Sequence, residues 1–162
     1  MIVIADTTPL NCLVLIEETD MLPRLFGRVL IPPAVLGELQ DPETPELVRS
    51  WLANAPTWLE ARPLRSAPDP MLDYLDAGER EAIALAEELK ADQILLDEID
   101  ARHEAARRKL PFIGTLGILR RAAQLGLTDL ASALNRLRQT TFYVDPELIQ
   151  SLLEEDSKRK LR

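Results

Sequence analysis

Short apolar runs separated by helical stretches constrain this chain more than any other feature. Ile-Val-Ile-Ala at 2–5, Val-Leu-Ile at 29–31 and Ile-Leu-Leu at 94–96 are too short for helices and rich in β-branched residues or leucine. They read as buried strands, and weaker runs at 58–61 and 112–113 as two more. The stretches between them carry apolar residues at helical spacing. Strands separated by helices imply parallel β-α units with right-handed crossovers. The expected fold is α/β, a single domain with one parallel sheet flanked by helices. In such a sheet every strand ends on the same edge, where ligands bind.

Local signals mark the helices. Thr8 reads as an N-cap and Pro9 as a first helical residue, opening a helix over Leu10 to Ile16. Pro32-Pro33 opens a second, reaching Gln40, and Thr44-Pro45 repeats the N-cap and proline pattern before Leu47, Val48, Trp51 and Leu52. Residues 62–70 hold three prolines and read as a loop. Asp76-Ala77-Gly78 precedes a long helix whose apolar face is Ala82, Ile83, Leu85, Ala86 and Leu89. Further helices are predicted over 100–109, 116–125, 130–138 and 146–155, leaving 156–162 as a basic tail after a domain of 1–155.

At 162 residues the chain buries about two-thirds of the surface its unfolded form exposes. One cysteine, Cys12, excludes an internal disulfide and reads as a small core residue. No apolar run is long enough to span a membrane and no basic signal region opens the chain, so no membrane association and a cytoplasmic location are expected. The net charge of -8 is unlike that of a freestanding phosphate binder. Two basic clusters depart from it: Arg102, Arg107, Arg108 and Lys109, and the C-terminal Lys158, Arg159, Lys160 and Arg162.

Several carboxylates converge on the predicted ligand edge. Asp6 follows the first strand at once, and Asp97 follows 94–96 in the same way. Glu38 lies about two turns into the helix after the second strand, and Glu79 in the first turn of its own helix. Asp100 stands three residues past Asp97, and Asp76 caps the helix of Glu79. Gathered carboxylates repel one another unless a hard cation neutralises them. Magnesium and manganese suit them, taking oxygen ligands and needing only one or two direct carboxylates. With one histidine, His103, on a polar helix, zinc and Ser-His-Asp chemistry are disfavoured. The segment Gly114-Thr115-Leu116-Gly117 has neither the Walker nor the dinucleotide spacing.

Five stretches in order, IADTTPL, VLIPPAVLGEL, LDAGEREAIALAEEL, LLDEIDAR and IGTLGIL, together resemble the PIN-domain family in its VapC-like branch of small prokaryotic ribonucleases. The resemblance covers about residues 2–145. It implies a PIN-like, Rossmann-like sheet and a nuclease site using Mg2+ or Mn2+. Asp6, Glu38, Glu79 and Asp97 then form an acidic quartet, with Asp6, Asp97 and Asp100 as metal ligands and Thr8 at an auxiliary hydroxyl position. Glutamate stands at position 79 where most relatives carry aspartate, and Glu98-Ile99-Asp100 replaces a commoner Arg-x-Asp-Phe. The implied activity is hydrolysis of single-stranded RNA by the toxin of a toxin–antitoxin pair, with Arg102, Arg107, Arg108 and Lys109 touching phosphates. Expected partners are a small antitoxin protein and a second copy, the homodimer drawing on late apolar residues from Leu116 to Leu137. A non-catalytic PIN-like interaction module and a magnesium-dependent phosphatase-type hydrolase are the alternatives.

Overall fold

A computed structural model describes residues 1–162. Five strands, β1 (Val3–Ala5), β2 (Val29–Ile31), β3 (Leu59–Ala61), β4 (Gln93–Leu95) and β5 (Phe112–Ile113), form one sheet in the order β3-β2-β1-β4-β5, parallel throughout. The helices are α1 (Thr7–Leu15), α2 (Met21–Phe26), α3 (Pro33–Gln40), α4 (Glu46–Ala53), α5 (Ala77–Leu89), α6 (Ile99–Arg107), α7 (Thr115–Gln124), α8 (Leu130–Arg138) and α9 (Pro146–Lys160). The chain builds outward from β1 through β2 to β3, then returns to lay β4 on the other side of β1. That reversal puts the crevice between the carboxyl ends of β1 and β4.

Both faces of the sheet are covered. Val3, Ala5, Val29, Ile31 and Leu95 point into the larger core, with residues of α1, α2, α7 and α8. Ile4, Leu30, Ile94 and Leu96 point into a smaller one beneath α5 and α6. The two-residue alternation of a strand thus sorts one apolar run into two cores, which is why the runs lack an apolar-polar alternation.

Several boundaries differ from the sequence reading, each for a local reason. Helix α1 begins at Thr7, because Asp6 keeps extended geometry (φ -82, ψ 172) and holds the N-cap position itself. Thr8 and Pro9 are therefore the second and third helical residues, where a missing proline N–H costs nothing. Pro45, not Thr44, is the N-cap of α4, and the Thr44 hydroxyl donates to the Glu38 carbonyl instead. Helix α2, with Pro23 third in its six residues, is too short to show a period. A 3-10 turn at Pro70–Leu72 ends the proline-rich loop, whose Arg65 and Ser66 N–H groups donate to the Glu88 carboxylate.

The basic tail is not separate from the domain. Helix α9 continues to Lys160, and Asp156 binds Arg159 at 2.7 Å and Lys160 at 3.2 Å, with Lys160 also 3.4 Å from Asp129, the N-cap of α8. No helix is long and apolar enough to cross a membrane.

The late apolar residues belong mainly to the core. Ile118, Leu119, Leu130, Leu134 and Leu137 are buried, Leu116 and Leu127 half-buried, and Leu125 alone is exposed. Leu119→Ala is expected to lower unfolding free energy in urea by about 2–5 kcal/mol at any protein concentration. Leu125→Ala should change it by no more than about 0.5 kcal/mol. A concentration-dependent loss for Leu119→Ala would show that this residue serves an interface.

Candidate active site at the carboxyl edge of the sheet

The register sets Ala5 beside Leu95, and the Asp6 N–H extends that ladder by donating to the Leu95 carbonyl at 3.0 Å. Asp6 is thus the first residue beyond β1, and Asp97 the second beyond β4. Both leave the sheet at its order reversal. Asp6 is buried, and its Oδ1 has no hydrogen-bond partner. Burial pushes its pKa up to about 8; the Thr7 N–H opposes the rise, and the charges of Asp76, Glu38 and Glu79 add to it.

Glu38, on α3, ties three elements together. Its carboxylate accepts from the Thr7 hydroxyl at the start of α1 and from the Gly78 N–H at the start of α5, the latter at 3.1 Å. A Cβ on Gly78 would stand 2.7 Å from both Glu38 carboxylate oxygens, so this approach needs glycine. Glu79, next in α5, forms a capping box with Asp76: its N–H donates to Asp76 Oδ1 at 2.8 Å, and its own carboxylate accepts from the Asp76 N–H at 3.3 Å. Burial raises the Glu79 pKa to about 7, with the Asp76 and Glu98 charges contributing and the Asp76 N–H opposing.

Asp97 is held differently. Thr115, first residue of α7, donates its N–H to Oδ1 at 2.8 Å and its hydroxyl to Oδ2 at 2.7 Å. The Arg102 guanidinium lies 3.7 Å from Oδ1, donates to the Leu96 carbonyl at 2.9 Å, and stacks over the Phe112 ring. Burial raises the Asp97 pKa, with both Thr115 bonds and Arg102 holding it back. A Cβ on Gly114 would fall on Arg102 Nη2 and 2.7 Å from Asp97 Oδ1.

The other expected site residues divide. Thr8 lines a groove with Asp97, but the hydroxyl that bonds an acidic residue of the quartet belongs to Thr7. Asp100 is exposed on the first turn of α6, and Glu98 is the neighbour that bears on Glu79. Of the basic run, only Arg102 sits beside Asp97. Helix α6 leads away from the carboxyl edge, so Arg107, Arg108 and Lys109 lie about 13 Å off, at its far end. Arg108 there binds Glu104, Glu87 and Asp69 at 2.7, 2.8 and 3.1 Å, and Arg107 binds Glu104 at 2.8 Å. His103 is exposed.

No three histidine, cysteine, aspartate or glutamate side chains form a ready cage for a metal ion. Magnesium and manganese do not require one, since they retain several waters and take one or two direct carboxylates. The donor set fits them. Asp6 Oδ1 is a buried oxygen lacking any partner among other carboxylates, the group that a hard cation satisfies. The one soft ligand nearby, the buried Cys12 thiol, lines a groove with Asp97, but burial and the Asp97 charge push its pKa up to about 12, with a Thr115 hydrogen bond opposing, which keeps it a poor ligand.

Thr7, Asp76, Gly78, Glu98, Gly114 and Thr115 all touch or charge this site without having been singled out for it. All six lie inside the quoted motif stretches, which was the available signal. The contacts of Thr7 and Thr115 cross from one β-α unit to another and leave no spacing to read.

A family model described as a PIN domain matches residues 2–158. No curated protein matches the chain.

The pKa shifts set a pH dependence for the metal-free protein. Asp6 holds its proton in the native state up to about 8, whereas the unfolded chain releases it near 3.8. The resulting stability is complete below the unfolded value and is lost as pH rises from there through about 8. Glu79 acts in the same direction, up to about 7. The Tm of metal-free wild type should therefore fall between pH 5 and 8 more steeply than that of Asp6→Asn, and at pH 8 the variant should melt higher. Parallel Tm curves would remove Asp6 as the source.

Proposed function

The chain belongs to the PIN-domain family, whose members are typically nucleases, and from that premise we propose that it is a magnesium- or manganese-dependent endoribonuclease acting on single-stranded RNA. The observation that carries this reading is the buried, unpartnered Asp6 carboxylate among Glu38, Glu79 and Asp76 at the edge where the strand order reverses. A binding module has no use for so unfavourable a grouping, and repulsive carboxylates with shifted pKa values mark functional sites.

In this reading Asp6 and Asp97 hold the cation, with Asp100 a further ligand if α6 shifts toward it. When bound, the ion supplies positive charge to the phosphodiester and a more acidic water. Glu38, held by Thr7 and Gly78, and Glu79, held by Asp76, would be placed to orient an attacking water, one of the two taking its proton. Thr115 holds Asp97 in one orientation, since both of its oxygens are engaged. Arg102, whose side chain is partly exposed beside Asp97, meets a non-bridging phosphate oxygen. The contribution of Arg107, Arg108 and Lys109 is secondary, because Arg108 is already held by three carboxylates.

The physiological setting we propose is the VapC-like one: a cytoplasmic toxin that forms a homodimer and is held by a small antitoxin protein. Co-purification with the product of a neighbouring small gene and light scattering of the pair test that part separately from catalysis.

Purified protein should cleave mixed single-stranded RNAs with magnesium or manganese, lose activity in EDTA, and not regain it with calcium, which accepts looser geometry and acidifies water less. Asp6→Asn and Asp97→Asn should abolish cleavage while the fold persists by circular dichroism. Thr115→Val, which removes one of two bonds orienting Asp97, should lower the rate about 10- to 100-fold. His103→Ala should leave it unchanged. Cleavage that survives EDTA or Asp97→Asn would overturn the metal mechanism.

A further inference from the structure

Asp97 stands between two open grooves. One, of about 530 Å3, mixes Thr8, Asn11, Thr140 and Thr141 with the apolar Cys12 and Leu15. The other, of about 460 Å3, is walled by Phe112, Phe142, Tyr143 and Leu148, with Arg102 on its floor. Asp97, Ile99, Phe142 and Tyr143 line both, so the grooves meet at the carboxylate. Three of the chain's ten exposed large apolar or aromatic side chains gather here: Ile99, Leu148 and Tyr143, the last 82% exposed.

We propose that the aromatic groove is a nucleobase-stacking subsite of a single-stranded nucleic acid, taking the base next to the phosphate that lies over Asp97. This rests on the nuclease reading for the position of that phosphate. The walls themselves argue for a nucleotide. Aromatic faces accept any base by stacking, and Arg102, lying over Phe112 with its guanidinium 5.4 Å from the ring centroid, offers its charge to the linking phosphate. An apolar protein segment in the same groove would cover Arg102 together with the Asp97 and Asp145 carboxylates and supply nothing to replace their water. A flexible single strand can place a base there, whereas a duplex keeps its bases stacked on one another. The other groove beside Asp97, with mixed polar and apolar walls, would leave the next nucleotide less tightly held. The chain's net charge of -8 fits this division, because stacking draws no strength from a basic surface.

The test uses a short single-stranded RNA carrying one 2-aminopurine, bound in calcium so that it stays intact, and the same sequence with an abasic residue at that position. Scanning the label along the strand should find one position at which wild type quenches its fluorescence and at which base removal weakens binding about tenfold. Tyr143→Ala, a change at an exposed side chain, should abolish that quench and raise Kd by a similar factor, and Tyr143→Phe should preserve both. In magnesium, Tyr143→Ala should raise KM with little change in kcat. Quench and affinity indifferent to Tyr143, or abasic and intact strands bound equally, would overturn the subsite, and that indifference is also what a groove built for a protein segment would give. Cleavage by wild type with no effect of Tyr143→Ala removes the subsite and leaves the nuclease reading standing. A Tyr143-dependent quench without cleavage in magnesium does the reverse. Absence of both binding and cleavage removes both.

Discussion

The parallel pairing of β1 with β4 fixes the acidic edge. Ile4 lies beside Ile94 and Ala5 beside Leu95, and the Asp6 N–H adds one more rung. A slip of one residue in β1 would turn Val3 and Ala5 toward the smaller core and Ile4 toward the larger one. Both cores are tightly filled at these positions, since Val3, Ile4 and Ala5 have no exposed surface. Core volume therefore decides which way the Asp6 carboxylate faces. The geometry of the candidate site is set here by aliphatic packing on two sides of a three-residue strand, before any polar group acts.

Buried carboxylates in this chain fall into two physical classes. Glu104 is buried on α6, yet the Tyr74 hydroxyl, Arg107 and Arg108 surround it and hold its pKa below the usual carboxylate range. It fastens the segment before α5 to α6 and has nothing left to give. Asp6 is equally hidden but has an unpartnered oxygen and three like charges nearby, so the metal-free native state carries it protonated at neutral pH. Asp97 lies between the two, donor-satisfied by Thr115 and Arg102 yet still raised by burial. The first arrangement stabilises the fold. The second makes ionisation costly, a cost that a bound cation would lower, and that difference is a better guide to the site than acidity itself.

Much of the architecture was legible because it is local. Runs such as Val29-Leu30-Ile31, short, β-branched and bounded by turn residues, read as buried strands, and a carboxylate following one emerges at the ligand edge, so the placement of Asp6 and Asp97 required no long-range knowledge. What could not be read were choices settled across the sheet. Threonine occupies both 7 and 8, and propensity alone favoured Thr8 as the cap beside Pro9. The backbone bond from Asp6 to Leu95 keeps Asp6 extended, starts the helix two residues earlier, and hands the hydroxyl bond with Glu38 to Thr7. Likewise the basic run of α6 looked like one patch in one dimension. Its helix separates Arg102 at the site from Arg108 at the far end, where Glu87 and Asp69 from other segments claim it. The segment from 156 onward reads as a separate basic tail because one partner of Lys160, Asp129 at the N-cap of α8, lies far away in sequence.

Two glycines show how such long-range contacts do leave a trace. Neither Gly78 nor Gly114 has the positive φ that favours glycine at Gly27 and Gly126. What each provides is room: at 78 for the Glu38 carboxylate to reach an α5 N–H, at 114 for Arg102 and Asp97 to meet above the start of α7. Alanine would satisfy the backbone at either position and still displace a carboxylate. The Gly-Glu of LDAGEREAIALAEEL and the Gly-Thr of IGTLGIL thus have one physical meaning. In each pair the glycine opens the space and the next residue, Glu79 or Thr115, is carried into the acidic edge by the first turn of a helix. A motif that looks like helix punctuation is a pair of steric vacancies shaped to carboxylates from other parts of the chain.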